Sequence, residues 1–397
     1  MVLVNLMWLV PGVVGGSEES VTDALRAVAE DSPSDLEVHL AVLRPFVDAH
    51  PDLVEAFPTA VSGLDGTDKA RRVLAEQTWL SSTARSLGAE VVHHPGGTVP
   101  LVHPGRVVLT IHDLQPLDMP RNFSLAKRAY LRAMLGRSAR AAQVVCVPSE
   151  FTRQRVVELL AVAPDRVRVV PWSPHPVLST GVGGGPGIGD SGTGDGDGTG
   201  IGDDTGDDVD GGLLVPDGPF LLYPAITYPH KNHMVLLEAF AGLDGTARDA
   251  RLVLTGGSAS MEDEVLARID ELGLGDRVVR TGRVAERQLE SLYAAATGVV
   301  VPSRYEGFGL PVLEAMLRDR PVVAARAGSL PEVARGEDLV DPDDVTGWTT
   351  AMQSVLTLSD RARSERIAEG RRAAARFTPE RTAAGLVDAY RAARGGP

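Results

Sequence analysis

Short apolar runs rich in valine and leucine alternate with longer amphipathic stretches along nearly the whole 397-residue chain. Strands without polar alternation are buried on both faces, and strands separated by helices pair in parallel. The pattern therefore predicts open parallel sheets covered by helices. The alternation runs twice. A first series places strands at Val2 to Val10, Leu36 to Leu43, Glu90 to His93, Val107 to Ile111, Val144 to Val147 and Val167 to Val170. Its helices fall at Glu18 to Glu30, Lys69 to Leu87, Leu125 to Ala142 and Phe151 to Leu160. A second series places strands at Phe220 to Pro224, Arg251 to Leu254, Val278 to Thr281, Gly298 to Val301 and Pro321 to Ala324. Its helices fall at Asn232 to Leu243, Glu262 to Leu272, Glu286 to Ala296, Pro311 to Arg318 and Val345 to Leu356. Two doubly wound α/β domains are the simplest account, and the length supports that number.

Between the two series, Gly181 to Gly212 holds 15 Gly and 8 Asp in 32 residues, with no Glu, Lys or Arg. Such a stretch cannot bury enough apolar surface to offset its ordering entropy, so a disordered insertion near the domain boundary is expected. Its spacing matches neither the helix-flanked calcium loop nor the nonapeptide calcium repeat. Removing its eight negative charges from the chain's −14 leaves −6 over the other 365 residues. The acidity is thus local, and nothing suggests a nucleic-acid partner. The single cysteine, Cys146, excludes an intrachain disulfide framework and a cysteine-based zinc site, and its apolar run marks it as core. Met1 to Val10 is apolar but has no basic leader and is interrupted by Pro11 and Gly12. It is expected to be a buried strand in a cytoplasmic protein.

The segment Val300 to Leu317, VVPSRYEGFGLPVLEAML, is the most informative for chemistry. A strand ends in a Gly-containing turn and a helix follows, with Pro311 suited to its start. Open α/β sheets bind ligands at that end of a strand, and a helix N-terminus offers free N–H groups to an anion. Glu306 lies in the turn and Glu314 eight residues later in the helix. Two carboxylates facing one cleft accept hydrogen bonds from sugar hydroxyls well; solvated surface acids are the plain alternative. Upstream, LLYPAITYPHKNHMVLLEAF leads a strand through a Pro-containing loop to His230, Lys231 and Asn232 at a helix start. An ammonium there suits a diphosphate.

Together, PHKNH before an amphipathic helix, then LVLTGG, then EGFGLPVLE, then RPVVAARAGSLPEV resemble the nucleotide-sugar half of retaining glycosyltransferases of family four. In the first half, PGVVGGSEES resembles the family's glycine loop at Gly15 and Gly16, VVLTIHDLQP its strand ending in a His-Asp pair, and VVCVPSEFTRQ its strand-to-helix junction, with Ser149 as the helix cap. The resemblance implies a GT-B fold: two Rossmann-like domains facing a cleft. Residues 1–176 would form the acceptor-side domain, 177–214 a Gly/Asp-rich linker or insertion and 215–376 the nucleotide-sugar domain. Residues 377–397 would form a helix crossing back to the first domain.

The resemblance also implies roles. Lys231 would neutralise the donor diphosphate that becomes the leaving group, Glu314 would accept from ribose hydroxyls and Glu306 from hydroxyls of the transferred sugar. The amides of Gly307, Phe308, Gly309 and Leu310 would contact sugar and phosphate, and Gly256 would line the donor site. His112 would sit against the transferred sugar, with Gly15 and Gly16 meeting the phosphates from the opposite wall. The arginine that many members carry shortly before the lysine has no counterpart in Ala225 to Pro229. Thr227 with backbone amides, Arg283 or Arg326 would have to replace it.

No aspartate pair with metal-ligand spacing precedes the site, so metal-independent transfer without a cofactor is expected, with retention by front-face attack. The expected activity moves a hexose, first choice mannose from GDP-mannose, from a nucleotide sugar to a glycan or lipid-linked acceptor in polysaccharide or glycoconjugate synthesis. UDP-glucose, UDP-N-acetylglucosamine and dTDP-rhamnose are alternative donors. A non-catalytic sugar-nucleotide-binding protein is the alternative of another class. A dinucleotide oxidoreductase fits poorly, because GVVGGSEE lacks G-x-G-x-x-G and strand two ends in Leu43-Arg44 with no acid for a ribose. Arg121 to Arg140 holds six basic residues and no acid, with Phe123, Tyr130, Leu131 and Leu135 interleaved. Its modest apolar face favours a solvated helix, with peripheral contact to an anionic membrane as the alternative. His93 and His94 alternate across a strand and share no metal geometry, and the HKNH motif accounts for His230 and His233.

Overall fold

The computed structural model describes residues 1–13, 15–31, 33–120, 125–173, 215–334 and 338–395. The Gly/Asp-rich stretch and Phe123 lie outside them. Among the described residues, thirteen strands build two sheets, and every pairing is parallel. The first sheet comprises β1 (Val2–Asn5), β2 (Val38–Val42), β3 (Thr59–Val61), β4 (Val91–His94), β5 (Arg106–Thr110), β6 (Val144–Val147) and β7 (Val167–Val169), in the order β3-β2-β1-β4-β5-β6-β7. The second comprises β8 (Phe220–Pro224), β9 (Arg251–Thr255), β10 (Val278–Gly282), β11 (Gly298–Val301), β12 (Val322–Ala325) and β13 (Leu339–Val340), in the order β10-β9-β8-β11-β12-β13. The valines of β6 and β11 are buried on both faces because helices cover each sheet twice, which is why these strands show no polar alternation.

In each sheet the strand order changes direction once, between β1 and β4 and between β8 and β11. Connections leaving such a pair run to opposite faces of the sheet, opening a crevice at the strands' carboxyl ends. The loops at these two switch points are the ones that carry Trp8, Pro95, Lys231 and Glu306.

The helix Pro379–Arg394 returns to the first sheet. Its Thr378 cap accepts from the Arg381 amide, and the Thr382 hydroxyl donates to the Pro171 carbonyl at 2.7 Å. The Tyr390 hydroxyl sits 3.0 Å from His93 Nδ1, and Arg106 donates to the Ala393 carbonyl at 2.9 Å. Leu386, Val387 and Tyr390 are buried, each contributing about 1.5–3 kcal/mol or more of apolar burial. The return helix thus ties the end of the chain to the half that began it.

Several boundaries differ from the sequence pattern. The run Val2 to Val10 is a strand only to Asn5, whose side-chain oxygen accepts the Met7 amide at 3.1 Å and turns the chain. Lys69 to Leu87 is two helices, Lys69–Gln77 and Trp79–Ser86, broken at Thr78, where ψ is −67° and the hydroxyl donates to the Leu74 carbonyl. Strands β3 and β13, three and two residues long, are too short to carry a periodicity. In the basic helix, Leu125–Ala141, Leu131 and Leu135 are buried in the first domain's core and Arg137 donates to the Pro100 carbonyl. The apolar face expected for a membrane surface is therefore largely spent on packing, although Tyr130 remains exposed. No helix among the described residues is long and apolar enough to cross a membrane.

Candidate active site

Strand β11 delivers Glu306. After Val301 the chain runs through Pro302 to Gly309 and enters the helix Leu310–Leu317, with Pro311 in its first turn. Gly309 makes the entry at φ 104°, and a Cβ there would lie 2.8 Å from Leu330. The Glu306 carbonyl accepts from both the amide and the hydroxyl of Ser329, at 3.2 and 3.0 Å, so the segment after β12 backs the loop. Phe308 is buried edge-on against Phe377, and Leu310 is half-buried at the helix start. The free amides of this helix end therefore lie beside a loop held from behind.

Strand β8 delivers Lys231 from the opposite side of the switch point. Pro229–Lys231 form one 3-10 turn, and Asn232 closes it at φ 61°, a conformation that asparagine tolerates. The Asn232 amide donates to the Pro302 and Pro342 carbonyls at 3.1 and 2.7 Å, and the Tyr223 hydroxyl donates to the Lys231 carbonyl at 2.6 Å. Gly256, at φ 128° after β9, packs where a Cβ would lie 2.6 Å from the Ala225 carbonyl. It shapes the loop that leads to Lys231. The outcome is an ion pair, Lys231 Nζ to Glu306 Oε1 at 2.8 Å, with both side chains 4% exposed.

Glu314 is also buried, and the Tyr293 hydroxyl donates to its Oε2 at 2.8 Å. Burial raises its carboxyl pKa, opposed by the nearby Arg318 guanidinium, which also pairs with Glu290 and lies over the Tyr293 ring. Glu19, at the start of the helix Gly16–Asp31, belongs to the same electrostatic cluster from the other domain. Burial and then the charges of Glu314, Asp23, Glu18 and Glu286 hold its carboxyl well above the ordinary range.

On the first domain's wall, His112 follows β5. Its Nε2 donates to the Pro95 carbonyl at 2.8 Å, and burial lowers its pKa to about 4, so the ring is neutral. Gly15, at φ 80°, and Gly16 open the helix Gly16–Asp31, where Glu18 accepts the Gly12 amide at 2.9 Å and contacts His50 at 3.0 Å. Glu18 is thus a brace for the glycine loop. Of the residues considered in place of the missing arginine, Arg283 donates across the cleft to the Gly12 carbonyl at 2.9 Å. Arg326 does not join it, donating instead to the Leu339 carbonyl at the sheet edge. The Thr227 hydroxyl is engaged by Glu262, itself paired to Arg280, and accepts the Ala259 amide.

The two walls touch through residues that the motifs did not single out. The hydroxyls of Ser149 and Thr152 donate to the Gly307 carbonyl at 2.6 and 3.1 Å. Glu332 accepts the amides of Glu150 and Phe151 at 2.8 and 2.6 Å, capping the first-domain helix Glu150–Leu160 from the second domain, while Ser149 caps it from within. The Tyr305 hydroxyl donates to Asp118 at 2.9 Å and accepts the Leu114 amide at 3.2 Å; the Gln115 amide reaches His230 Nδ1. A Cβ on Gly307 would lie 2.3 Å from the His112 carbonyl oxygen. Only the S/T-x-x pattern at Ser149 had a local signal; the rest depend on which domain face meets which.

The other conspicuous side chains are structural. Burial pushes the Cys146 thiol up to about 12. His93 is bracketed by Tyr390 and Thr110, and His94 accepts from Asn5.

The chain is similar to known proteins along both halves. The family described as "Glycosyltransferase Family 4" matches residues 14–172, and "Glycosyl transferases group 1" matches residues 218–358. The chain is 29% identical over 297 residues to O-antigen chain mannosyltransferase B of Escherichia coli, covering 72% of this chain and 70% of that one. It is 31% identical over 339 residues to the D-inositol 3-phosphate glycosyltransferase of Acidothermus cellulolyticus, covering 78% of this chain and 70% of that one. The fold superposes on sucrose-phosphate synthase from Thermosynechococcus elongatus with a TM-score of 0.71 at 20% identity, over 98% of both chains. With both halves matched in order, two Rossmann-like sheets across a cleft and a helix crossing back, the chain belongs to glycosyltransferase family 4 and has the GT-B fold.

Proposed function

We propose that this protein is a retaining, metal-independent hexosyltransferase that moves mannose from GDP-mannose to a glycan or lipid-linked acceptor on the cytoplasmic side of the membrane. The observation that carries the reading is the enclosed Lys231–Glu306 pair at the switch point of the second sheet, with the neighbouring Gly307 packed against the His112 carbonyl across the cleft. The donor diphosphate takes the Lys231 ammonium from Glu306, and Glu306 turns to the hydroxyls of the transferred sugar. Lys231 then gains in effect as charge builds on the departing phosphate, which is where a fixed cation lowers a barrier. The amides of Gly307 to Leu310 add a helix N-terminus to that charge, and Glu314 with Tyr293 accepts the ribose hydroxyls. Arg283 meets the diphosphate from the second domain and the Gly15–Gly16 turn meets it from the first. In front-face transfer the acceptor hydroxyl attacks the anomeric carbon from the side the diphosphate leaves, and its proton passes to the departing phosphate oxygen.

Mannose is favoured by the O-antigen mannosyltransferase among the relatives. A panel of GDP-mannose, UDP-glucose, UDP-N-acetylglucosamine and dTDP-rhamnose, followed by thermal shift and by release of nucleoside diphosphate, tests the assignment. GDP-mannose should give the largest stabilisation, since a ligand bound to the native state raises its melting temperature with affinity. Preference for another donor replaces the sugar; stabilisation without any product replaces the enzyme with a binding protein.

A further inference from the structure

On the first domain's wall, two neighbouring rings each carry a buried polar atom that has no partner among the described residues. One is the indole Nε1 of Trp8 and the other is Nδ1 of His112. Their ring centroids are 6.3 Å apart and the planes are tilted by 51°. The indole nitrogen can only donate. His112 gives its Nε2 proton to the Pro95 carbonyl, so Nδ1 carries a lone pair and can only accept. A buried donor and a buried acceptor left open together are costly unless a ligand fills both.

Neither ring is loosely held. The Asn5 side chain fixes the turn that delivers Trp8 by accepting the Met7 amide. Gly96 lies flat against the indole, where a Cβ would come within 2.5 Å of Trp8 Cγ. Trp172 stacks on His112 at 5.5 Å between centroids. Pro95 and Gly96 are consecutive, so one loop after β4 pins both rings. Across the cleft, Gly307 packs against the His112 carbonyl, which places the pair beside the loop that carries Glu306.

We propose that Trp8 Nε1 and His112 Nδ1 together bind one hydroxyl group of the transferred sugar, which makes Trp8 a specificity-determining residue of the donor site. The hydroxyl oxygen accepts from Trp8 and its proton is donated to His112; a sugar lacking that hydroxyl leaves both atoms unpaired. The inference rests on the donor-site reading above and adds a residue that no motif in the chain marks.

The test is the indole N–H signal of Trp8 in a nitrogen-edited NMR spectrum. The chain has four tryptophans, and Trp8→Phe, which keeps a ring against Gly96 and removes the N–H, assigns the signal. Should that variant not fold, replacing Trp79, Trp172 and Trp348 singly assigns it by elimination. The nucleotide sugar should move the Trp8 signal, whereas the nucleoside diphosphate alone, the acceptor alone and one member of the monodeoxy donor series should leave it in place. Wild-type kcat/KM for that monodeoxy donor should fall about 100-fold or more, and Trp8→Phe should lower kcat/KM for the full donor about 10-fold or more while barely changing the deoxy donor. A signal that no nucleotide sugar moves, one moved equally by every deoxy donor or by acceptor alone, or a Trp8→Phe effect equal on all donors overturns the proposal. Turnover with an unmoved signal removes Trp8 and leaves the proposed function standing; a moved signal without turnover keeps Trp8 as a sugar-binding residue and removes the enzyme.

Discussion

Replacing Lys231 by Met should destabilise the protein more than its loss of one surface-like charge would suggest, and the structure sets the size. At 2.8 Å the pair attracts by about 6 kcal/mol at an effective dielectric constant of 20, most of it offset by the desolvation of two enclosed charges. Removing only the ammonium leaves that desolvation without its compensation, an effect of about 3–5 kcal/mol for buried pairs. The expected loss is thus about 3–5 kcal/mol, or roughly 6–20 °C in melting temperature for a unit of this size. Glu306→Gln strands the ammonium and should cost a similar amount, while Lys231→Met with Glu306→Gln should return to within about 1.5 kcal/mol of wild type. Thermal melts of the four proteins measure this. Singles within about 1 kcal/mol of wild type, or a double variant as unstable as the two losses added, would refute a charge pair held out of water. In the transfer assay all three variants should lose about 100-fold or more in kcat, as removal of one charge-stabilising group does in other enzymes.

The close packing at Gly307 predicts that Gly307→Ala, whose Cβ would stand 2.3 Å from the His112 carbonyl oxygen, leaves both sheets folded but holds the walls apart. Scattering should show a larger radius than wild type and activity should drop; unchanged activity sinks the idea that the walls meet this tightly in the working enzyme. Burial depresses His93, His94 and His233 to about 3 and His112 to about 4. Below pH 6.5 the unfolded chain takes up protons that the folded chain refuses, so stability must fall with pH at up to about 1.4 kcal/mol per unit for each histidine. Urea unfolding at pH 7.5, 6.5 and 5.5 should show a steep decline toward acid, and a flat profile contradicts neutral buried rings. Glu19 has the opposite sign: its raised carboxyl contributes stability at low pH that is lost as pH rises through its folded value. Glu19→Gln should therefore raise the melting temperature at pH 8 and do so less at pH 5, and destabilisation at pH 8 would show that Glu19 is charged and paired.

Most strands were legible because a parallel strand buried on both faces must be continuously apolar, and the valine runs of β6 and β11 say so by themselves. The candidate site was legible where chemistry lies close to a strand end: Glu306 and Lys231 each lie in the loop that leaves a β-rich run, and Glu314 lies in the helix that follows one of these loops. Where a local bond decides, the pattern misled, as at Asn5, which ends β1 five residues early, and at Thr78, which divides one expected helix in two. Leu131 and Leu135 could be assigned to a membrane face only until the first domain's core claimed them.

The sequence by itself determined two α/β halves, the carboxyl ends of β8 and β11 as the candidate site and the residue types gathered there. Only the tertiary structure decided that Lys231 and Glu306 are each other's counter-ion, that Glu332 and Tyr305 reach into the other domain, and that Trp8 and His112 leave a donor and an acceptor open together. Apolar periodicity is a short-range property, written within a turn or a strand. These side chains meet within a switch point or across the cleft from positions 75 to 187 residues apart, and no local pattern encodes that distance.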